Sequence, residues 1–229
     1  MSVSPGLPIL LANLGDVRTV IIGGGTVAEG KVLQLLESDA KITLISPELT
    51  PKLRDLAALG EIEHVEREYQ PGDLAEAFMV IGATDDRAVN AAVWDEAKSR
   101  HILCNVVDDP PHCNFYAVSV VRQGDLTIGV STNGVAPALS NRIRKRFERE
   151  FGPEYAEFLA LMRERRPVIA EHLPCFNCRR DRWYQIVDTE VLDLLRAGRR
   201  ADAIAQIDQM INVPCPIAEV SGCPSRSSD

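Results

Sequence analysis

The stretch "TVIIGGGTVAEGK", residues 19–31, decides the fold class. Its β-branched opening, from Thr19 to Ile22, predicts a short buried strand, because branched side chains suit a pleated surface covered on both faces. From Thr26 onward the apolar positions recur with helical spacing. The three glycines between them therefore predict a strand-to-helix turn, the opening unit of an α/β domain with a parallel sheet.

This turn also fits the pattern G-x-G-x-x-G/A at Gly23, Gly25 and Ala28. In that pattern the first glycine permits a tight turn and the second lets the backbone approach a pyrophosphate, while the small third residue lets helix and strand pack closely. The helix that follows offers unpaired N–H groups to the anion. A dinucleotide site is the functional interpretation, and a glycine turn without a ligand is the alternative.

Length, composition and charge narrow the classes of function. A chain of 229 residues allows one or two domains, and its 25% of charged residues is typical of a globular protein. No apolar stretch is long enough for a membrane span, and residues 1–8 lack the features of a signal peptide, so we expect a cytoplasmic protein without a membrane partner. The net charge of −8 argues against a nucleic-acid partner.

Basic residues concentrate in "NRIRKRFERE" (141–150) and "RERR" (163–166). Such a run is usually a solvated helix face, and the alternative is a surface that meets a polyanionic small molecule.

Strand-like and helical runs alternate through the first half of the chain, which predicts right-handed crossovers and a parallel sheet. The predicted strands are 17–22, 41–46, 62–67, 79–84 and 102–107, and the predicted helices are 27–37, 51–59 and 88–99. Ligands of such sheets bind outside the carboxyl ends of the strands. We therefore expect four loop clusters to meet in space: 23–25, 46–48, 82–86 and 105–109.

The alternation stops near Pro110 and Pro111. Two β-rich runs, 115–122 and 126–130, follow, and the "QGD" between them predicts a hairpin. Two strands alone are marginal in water, so we expect a second subunit to complete this surface and the protein to be a homodimer. Helices are predicted beyond them over 136–151, 153–170, 181–197 and 201–211.

Four of these motifs, in this order and spacing, resemble the precorrin-2 dehydrogenase family, which includes the dehydrogenase and ferrochelatase module of siroheme synthases. They are "LPILLANLGDVRTVIIGGGTVAEGK", "GATDDRAVN", "CNVVDDP" and "VSTNGVAPAL". The resemblance implies an NAD-binding Rossmann domain over 1–113, a dimerisation segment over 114–150 and a helical domain over 151–212, before a tail, 213–229, that we predict to be disordered. It covers residues 6–150 well and weakens toward 210.

The family's activity follows from the same resemblance. Its members oxidise precorrin-2 to sirohydrochlorin with NAD, and several also insert ferrous iron to give siroheme. The chain stops where some relatives continue into a methyltransferase domain, so we do not expect it to make its own precorrin-2. The sequence leaves open whether this protein inserts iron and which tetrapyrrole pathway it serves.

The resemblance also implies which residues contact the cofactor. They are the backbone groups of Thr26 and Val27, together with Pro47 and Glu48 after the second strand. Glu48 is the nearest carboxylate for the adenosine ribose, and the sequence shows no arginine beside it for a 2′-phosphate, which favours NAD over NADP. Gly82 and Thr84 are expected to line the same cleft.

Asp108 is the predicted catalytic residue, because it emerges at a strand's carboxyl end and matches an aspartate that the family uses in both reactions. A carboxylate there can accept the proton that the oxidation releases. The alternative is a turn-capping role before the two prolines, which we assign to Asp109. Asp85 and Asp86 are predicted to cap a helix, and His112 is either a second base or iron ligand or an ordinary surface histidine.

The loop of Thr132, Asn133 and Gly134 precedes a helix and is the predicted contact for the substrate's carboxylates. Thr132 matches a loop serine of the family.

The cysteines near the end of the chain could hold a metal or be free thiols. The pair Cys175 and Cys178 has the spacing of half a zinc or iron–sulfur site, whereas Cys215 and Cys223 lack the partner spacing, so free thiols are the alternative.

Two other functions compete with the dehydrogenase. One is a non-catalytic NAD-sensing domain, which would need neither Asp108 nor a basic helical region. The other is an NAD-dependent enzyme for a different small anion.

Overall fold

The computed structural model describes residues 6–173 and 175–213. The tail beyond 213, with Cys215 and Cys223, lies outside the described residues. The chain divides into two compact units. The first contains residues up to Ala117 together with 133–135, and the second contains 118–132 together with the residues from Ala136 onward.

The first unit is built on a parallel sheet of five strands in the order β3-β2-β1-β4-β5. The strands are β1 Arg18–Ile22, β2 Lys41–Ile45, β3 Glu63–Val65, β4 Ala77–Gly82 and β5 Leu103–Val106. This order reverses between β1 and β4, which is the position where open α/β sheets bind ligands. The predicted Rossmann-type fold class is confirmed.

Alternation along β1 gives the sheet two apolar faces. Ile21 packs with Ala28 and Leu44 on one face, while Val20 and Ile22 pack on the other with residues of β4 and β5. All of these side chains are almost completely buried, as a parallel sheet covered on both sides requires.

Three helices connect the strands: α1 Thr26–Leu36, α2 Pro51–Ala58 and α3 Arg87–Ser99. Thr50 caps α2 by accepting a hydrogen bond from the Leu53 N–H group, and Asp86 caps α3 by accepting from the N–H groups of Ala88 and Val89. The capping role predicted for Asp86 is therefore confirmed, whereas Asp85 is not the cap of this helix.

The second unit begins with a hairpin of β6 Ser119–Gln123 and β7 Leu126–Val130. Gly124 turns it with a left-handed φ of 57°, a conformation that favours glycine. The predicted first strand began too early, because Phe115 packs against the apolar core of the first unit, to which it belongs.

Within the described residues, the second unit continues in helices: α4 Pro137–Glu150, α5 Pro153–His172, α6 Phe176–Val187, α7 Val191–Arg196 and α8 Arg200–Ile211. A single helix over 181–197 was wrong, since the chain turns between α6 and α7. There the Thr189 hydroxyl donates to the Ile186 carbonyl at 2.6 Å, a local bond that competes with continued helix. None of the described helices is long and apolar enough to cross a membrane.

Candidate functional site

The loops at the carboxyl ends of the sheet are tied together through their backbones. Three hydrogen bonds of 2.8 to 2.9 Å join neighbouring loops and strands: Gly23 N to Ile45 O, Ala83 N to Ile22 O, and Val107 N to Gly82 O. The four loop clusters expected from the sequence thus form one connected edge.

The neighbouring backbone leaves no room for a side chain at Gly23. Its φ is +110°, and a Cβ atom at this position would lie 2.4 Å from the carbonyl oxygen of Ala83. Any side chain would force β1 and the β4 loop apart, so Gly23 provides the tight turn that the sequence pattern predicted.

Gly24, to which the sequence pattern gives no role, is equally constrained. A Cβ atom there would lie 1.9 Å from the carbonyl oxygen of Glu48. The Gly24 carbonyl in turn accepts a hydrogen bond from the Thr50 N–H group at 3.0 Å. This close approach fixes the glycine turn against the β2–α2 loop.

Gly25 differs from both, since no atom lies within 4 Å of its potential Cβ position. It is the N-cap of α1, and its φ of −83° is open to any residue. No side chain caps this end of the helix, so the first N–H groups of α1 face the exposed surface at Gly25, Thr26 and Val27. Ala28 is completely buried beneath them. An anion such as a pyrophosphate fits this helix end, because it would satisfy the unpaired N–H groups without displacing a side chain.

Pro47 and Glu48 lie exposed beside this turn. The buried Ser46 hydroxyl holds their loop by donating to the Glu48 carbonyl at 2.8 Å, and the Ser46 carbonyl contacts Nε2 of His64 at 2.9 Å. The Glu48 carboxylate therefore sits on a fixed backbone, as a residue that binds a ribose requires.

Two further side chains of this region were missed by sequence reasoning. Thr50 donates its hydroxyl to the Glu29 carboxylate at 2.6 Å and so links α2 to α1. Arg54 donates from Nη2 to the Leu49 carbonyl at 3.0 Å. This bond places Arg54 against the β2–α2 loop at Leu49, and the expectation that no arginine beside Glu48 receives a 2′-phosphate stays a prediction.

Gly82 and Thr84 follow the fourth strand, and Asn90 of α3 holds them in place. The Asn90 amide donates to the Thr84 carbonyl at 2.9 Å, and its Oδ1 would lie 3.0 Å from a Cβ atom at Gly82. That oxygen is buried and has no hydrogen-bond partner among the described residues. Asn90 was not predicted, since a polar residue in a helix gives no sign in the sequence of the loop it will contact.

Asp108 occupies the tip of a turn after β5. The Asp109 N–H group closes this turn on the Val106 carbonyl at 3.2 Å, and Asp108 has a left-handed φ of 59°. Its side chain is exposed and has neither a hydrogen bond nor an ion pair within the described part of the chain. A carboxylate presented in this way is available to a ligand.

Asp109 uses its carboxylate differently. Oδ2 lies 2.7 Å from Nδ1 of His112, and the His112 ring packs at 5.9 Å from the ring of Trp94 on α3. Asp109 stands at the N-cap of the 3-10 turn Pro110–His112, as predicted, but its carboxylate makes no capping bond to the backbone and contacts the imidazole instead.

Two thiols near this turn are unsuited to nucleophilic chemistry. Burial, together with the neighbouring Cys113, raises the pKa of Cys104 to about 12. Burial also raises the pKa of Cys113, whose thiol lies 3.2 Å from the Val106 carbonyl oxygen. Both therefore remain protonated at neutral pH and serve as packing residues.

The predicted substrate loop divides between the two units. Thr132 belongs to the second, where its hydroxyl accepts a hydrogen bond from the Ala136 N–H group at the start of α4. Asn133 and Gly134 belong to the first, and both have left-handed φ angles, 50° and 75°. The structure thus describes the shape of this loop, and its contact with a substrate stays a prediction.

The cysteine motif lies at the start of α6, with Cys175 buried at the N-cap and Cys178 partly buried. Within the ranges that the structure describes, no three histidine, cysteine or acidic side chains form a group that could hold a metal ion. Whether Cys215 and Cys223 complete a site lies outside those ranges.

Comparison with known protein families gives three consecutive matches. Residues 10–119 match a model described as NAD(P)-binding, residues 123–150 match "Sirohaem biosynthesis protein central", and residues 154–211 match "Sirohaem synthase dimerisation region".

Individual relatives agree with these matches. Siroheme synthase 1 of Serratia proteamaculans is 34% identical over 203 residues, which are 89% of this chain and 42% of the relative. Siroheme synthase 3 of Aeromonas hydrophila is 35% identical over 206 residues, 88% of this chain and 41% of the relative. The chain thus spans less than half the length of these curated relatives.

One solved structure has the same fold over most of the chain. SirC, a precorrin-2 dehydrogenase, superposes with a TM-score of 0.74 at 22% identity, covering 89% of this chain and all of SirC. The chain therefore shares the fold of SirC, and its consecutive regions are similar to an NAD(P)-binding domain and to the central and dimerisation regions of sirohaem biosynthesis proteins.

Proposed function

We propose that the protein oxidises precorrin-2 to sirohydrochlorin with NAD as the hydride acceptor. This proposal rests on two features of the same sheet edge. One is the uncapped helix end at Gly25, and the other is the exposed Asp108 carboxylate, which has no partner among the described residues. The names of the relatives, siroheme synthases and a precorrin-2 dehydrogenase, agree with it.

The glycine turn holds the dinucleotide in this proposal. The first N–H groups of α1 bind the pyrophosphate at Gly25, Thr26 and Val27, where the surface is open. The exposed Glu48 binds the adenosine ribose, and its negative charge disfavours the additional phosphate of NADP. Arg54 does not offset this preference, because one end of its guanidinium group is bound to the Leu49 carbonyl.

Gly82 and Thr84 line the same cofactor site in this proposal. Asn90 holds their loop by donating to the Thr84 carbonyl, so this part of the site is ordered before a ligand arrives. An ordered loop lowers the cost of binding the cofactor.

Asp108 acts on the tetrapyrrole. NAD, when bound, supplies the acceptor for the hydride, and the protein must provide for the proton that leaves with it. The Asp108 carboxylate accepts that proton as a general base, a role for which its exposure and lack of a competing partner suit it. Thr132, Asn133 and Gly134 hold carboxylates of the substrate through hydroxyl and backbone groups.

Further parts of the proposal concern assembly and the second reaction. The match of residues 154–211 to a dimerisation region favours a homodimer. Insertion of ferrous iron into sirohydrochlorin, with Asp108 helping to remove pyrrole protons, is the second proposed activity. We expect the protein to act in the cytoplasm.

The test is an activity assay on the purified protein. Precorrin-2 and NAD should give sirohydrochlorin and NADH in equal amounts, and sirohydrochlorin with ferrous or cobaltous ion should then give the metallated product. Binding of NAD without turnover of precorrin-2 would instead identify a nucleotide sensor. Turnover of a different anion alone would identify a dehydrogenase of another substrate.

A further inference from the structure

A groove of about 530 Å³ lies within the second unit, between α5 and α6. Its floor is the completely buried Ile169. Around this floor stand three aromatic and three basic side chains: Phe176, Trp183, Tyr184, Arg166, Arg179 and Arg180. The site proposed above uses none of these residues.

The aromatic side chains of the groove are unusually accessible. Phe176 is 70% exposed and Tyr184 is 64% exposed, while Trp183 is partly buried against the helical core. The three follow one another on one side of α6, with Val187 a turn further on and 48% exposed. A continuous apolar surface of this kind marks a binding surface, since isolated exposed apolar residues are ordinary but clusters of them are not.

The guanidinium groups give the groove a positive rim in a chain whose net charge is −8. Arg166 has no hydrogen bond or ion pair to any residue that the structure describes. Arg180 pairs with Asp181, but both side chains are more than half exposed, and such a pair contributes little. Arg179 also lines the groove and donates from Nη1 to the Leu173 carbonyl.

We propose that this groove binds a planar, conjugated polycarboxylate, the chemical class of the tetrapyrroles. Aromatic side chains stack on a conjugated ring, and guanidinium groups bind carboxylates with paired hydrogen bonds. The volume lies in the range of small-molecule sites. An open groove of this size holds one side of the macrocycle, with its peripheral carboxylates at Arg166 and Arg180.

A second copy of the chain is the competing occupant, because the groove lies within residues 154–211, which match a dimerisation region, but it fits the groove less well. Pairing the same surface across a two-fold axis would bring the three arginines of one copy toward those of the other, and like charges in an interface are unfavourable. The choice of tetrapyrrole as ligand rests on the proposed function, and the groove is then an additional site that retains substrate or product near the protein.

Trp183 allows the groove to be tested apart from the dehydrogenase site. The chain has two tryptophans, so the Trp94→Phe variant leaves Trp183 as the single one. We expect uroporphyrin, an octacarboxylate tetrapyrrole, to quench its fluorescence in a saturable way. In the same background Arg166→Glu and Tyr184→Ala should each weaken this binding about tenfold or more, because both alter exposed side chains that line the groove.

Arg146→Glu is the matched control, because it makes the same charge change at an exposed arginine of α4 outside the groove. It should leave quenching at the parent level. Parent-like affinity in both groove variants, or no quenching at all, would overturn the proposal. So would a shift from dimer to monomer in the groove variants with unchanged quenching, which would identify a contact between copies. Failure to oxidise precorrin-2 while quenching persists would reject the proposed function and leave the groove as a polycarboxylate site.

Discussion

The carboxylate of Asp109 lies 2.7 Å from Nδ1 of His112, while the carboxylate of the preceding Asp108 has no partner among the described residues. Of these two adjacent aspartates, only Asp108 has a carboxylate that is available to a ligand. The Asp109 backbone also accepts a hydrogen bond from the His112 N–H group at 3.0 Å, so this pair braces the turn that presents Asp108. We therefore assign the proton transfer to Asp108 and the stabilisation of the turn to Asp109.

The support role predicts a mild effect for Asp109→Asn. Asparagine keeps an oxygen that can accept the hydrogen bond from Nδ1 of His112, so the turn should persist. We expect kcat for precorrin-2 oxidation within about threefold of the parent, since no group that transfers a proton is lost. A loss as large as that of an Asp108 variant would mean that the His112 pair takes part in proton transfer.

Gly25→Asp should abolish NAD binding without harming the fold. The position has open space and an ordinary φ, and an aspartate at an N-cap stabilises a helix. Its carboxylate would occupy the N–H groups proposed for the pyrophosphate and repel the anion. Calorimetry should show at least about a hundredfold weaker NAD binding at an unchanged or slightly higher melting temperature. Parent-like affinity in the folded variant would remove the dinucleotide assignment from this turn.

Gly23→Ala should give the opposite pattern. The added Cβ meets the Ala83 carbonyl oxygen at 2.4 Å, in a backbone conformation that strains any L-residue. We expect the free energy of unfolding to fall by about 1–3 kcal/mol, measured by urea denaturation. Gly25→Ala is the control and should change stability by well under that amount. Equal stability losses in the two variants would contradict the packing described at the sheet edge.

Glu154 predicts a pH-dependent contribution to stability. Burial acts to raise its pKa, but hydrogen bonds from the backbone at Glu154 and Gly152 and from the Arg196 guanidinium outweigh it, so the pKa is lowered in the folded protein. A lowered folded-state pKa means that the stabilisation is complete above the unfolded-state value, about 4.3, and is lost as the pH falls through the folded-state value.

Glu154→Gln should therefore reduce the free energy of unfolding by about 1–3 kcal/mol at pH 7, because it leaves Arg196 without its buried anionic partner. The difference from the parent should shrink below about pH 4. Asp202→Asn is a suitable control, since its pair with Arg199 is exposed on both sides and should contribute little. A difference that grows with acidity would contradict the assigned direction.

The homodimer is tested by light scattering. The hairpin of the second unit already packs against α4, where Ser119 Oγ lies 3.3 Å from Ser140 Oγ, so the expectation rests on the match of residues 154–211 to a dimerisation region. We expect a molecular mass of twice 25.2 kDa at micromolar concentration. A monomer throughout this range would reject the dimer.

The sequence predicted the first unit well because its signals are local. The β-branched run before the glycines and the helical spacing after them each fix an element within a few residues. The observed β1 begins one residue later than predicted and ends where predicted, and α1 is shifted by one residue at each end. Asp86 was predictable as a cap for the same reason.

Long-range contacts were not predictable in this way. The role of Gly24 depends on the Glu48 carbonyl, which is far from it in the sequence. Asn90 contacts the Thr84 carbonyl only six residues away, but across the start of α3, where the helical pattern gives no sign of the contact. The turn at Thr189 depends on residues close in the sequence, but it was not predicted, because the apolar spacing of 181–197 continues through it. The partners of Asp109 and Arg54 required coordinates, because the sequence shows which polar groups are near but not which of them pair.

The central claim is most directly tested by the rate of precorrin-2 oxidation in Asp108→Asn. Asparagine keeps the shape of the side chain and loses the base, so the account predicts a fall in kcat of roughly 10²–10⁴-fold. NAD affinity should stay at the parent value, because the pyrophosphate is assigned to the N–H groups at Gly25. An Asp108→Asn variant that oxidises precorrin-2 at the parent rate would contradict the account.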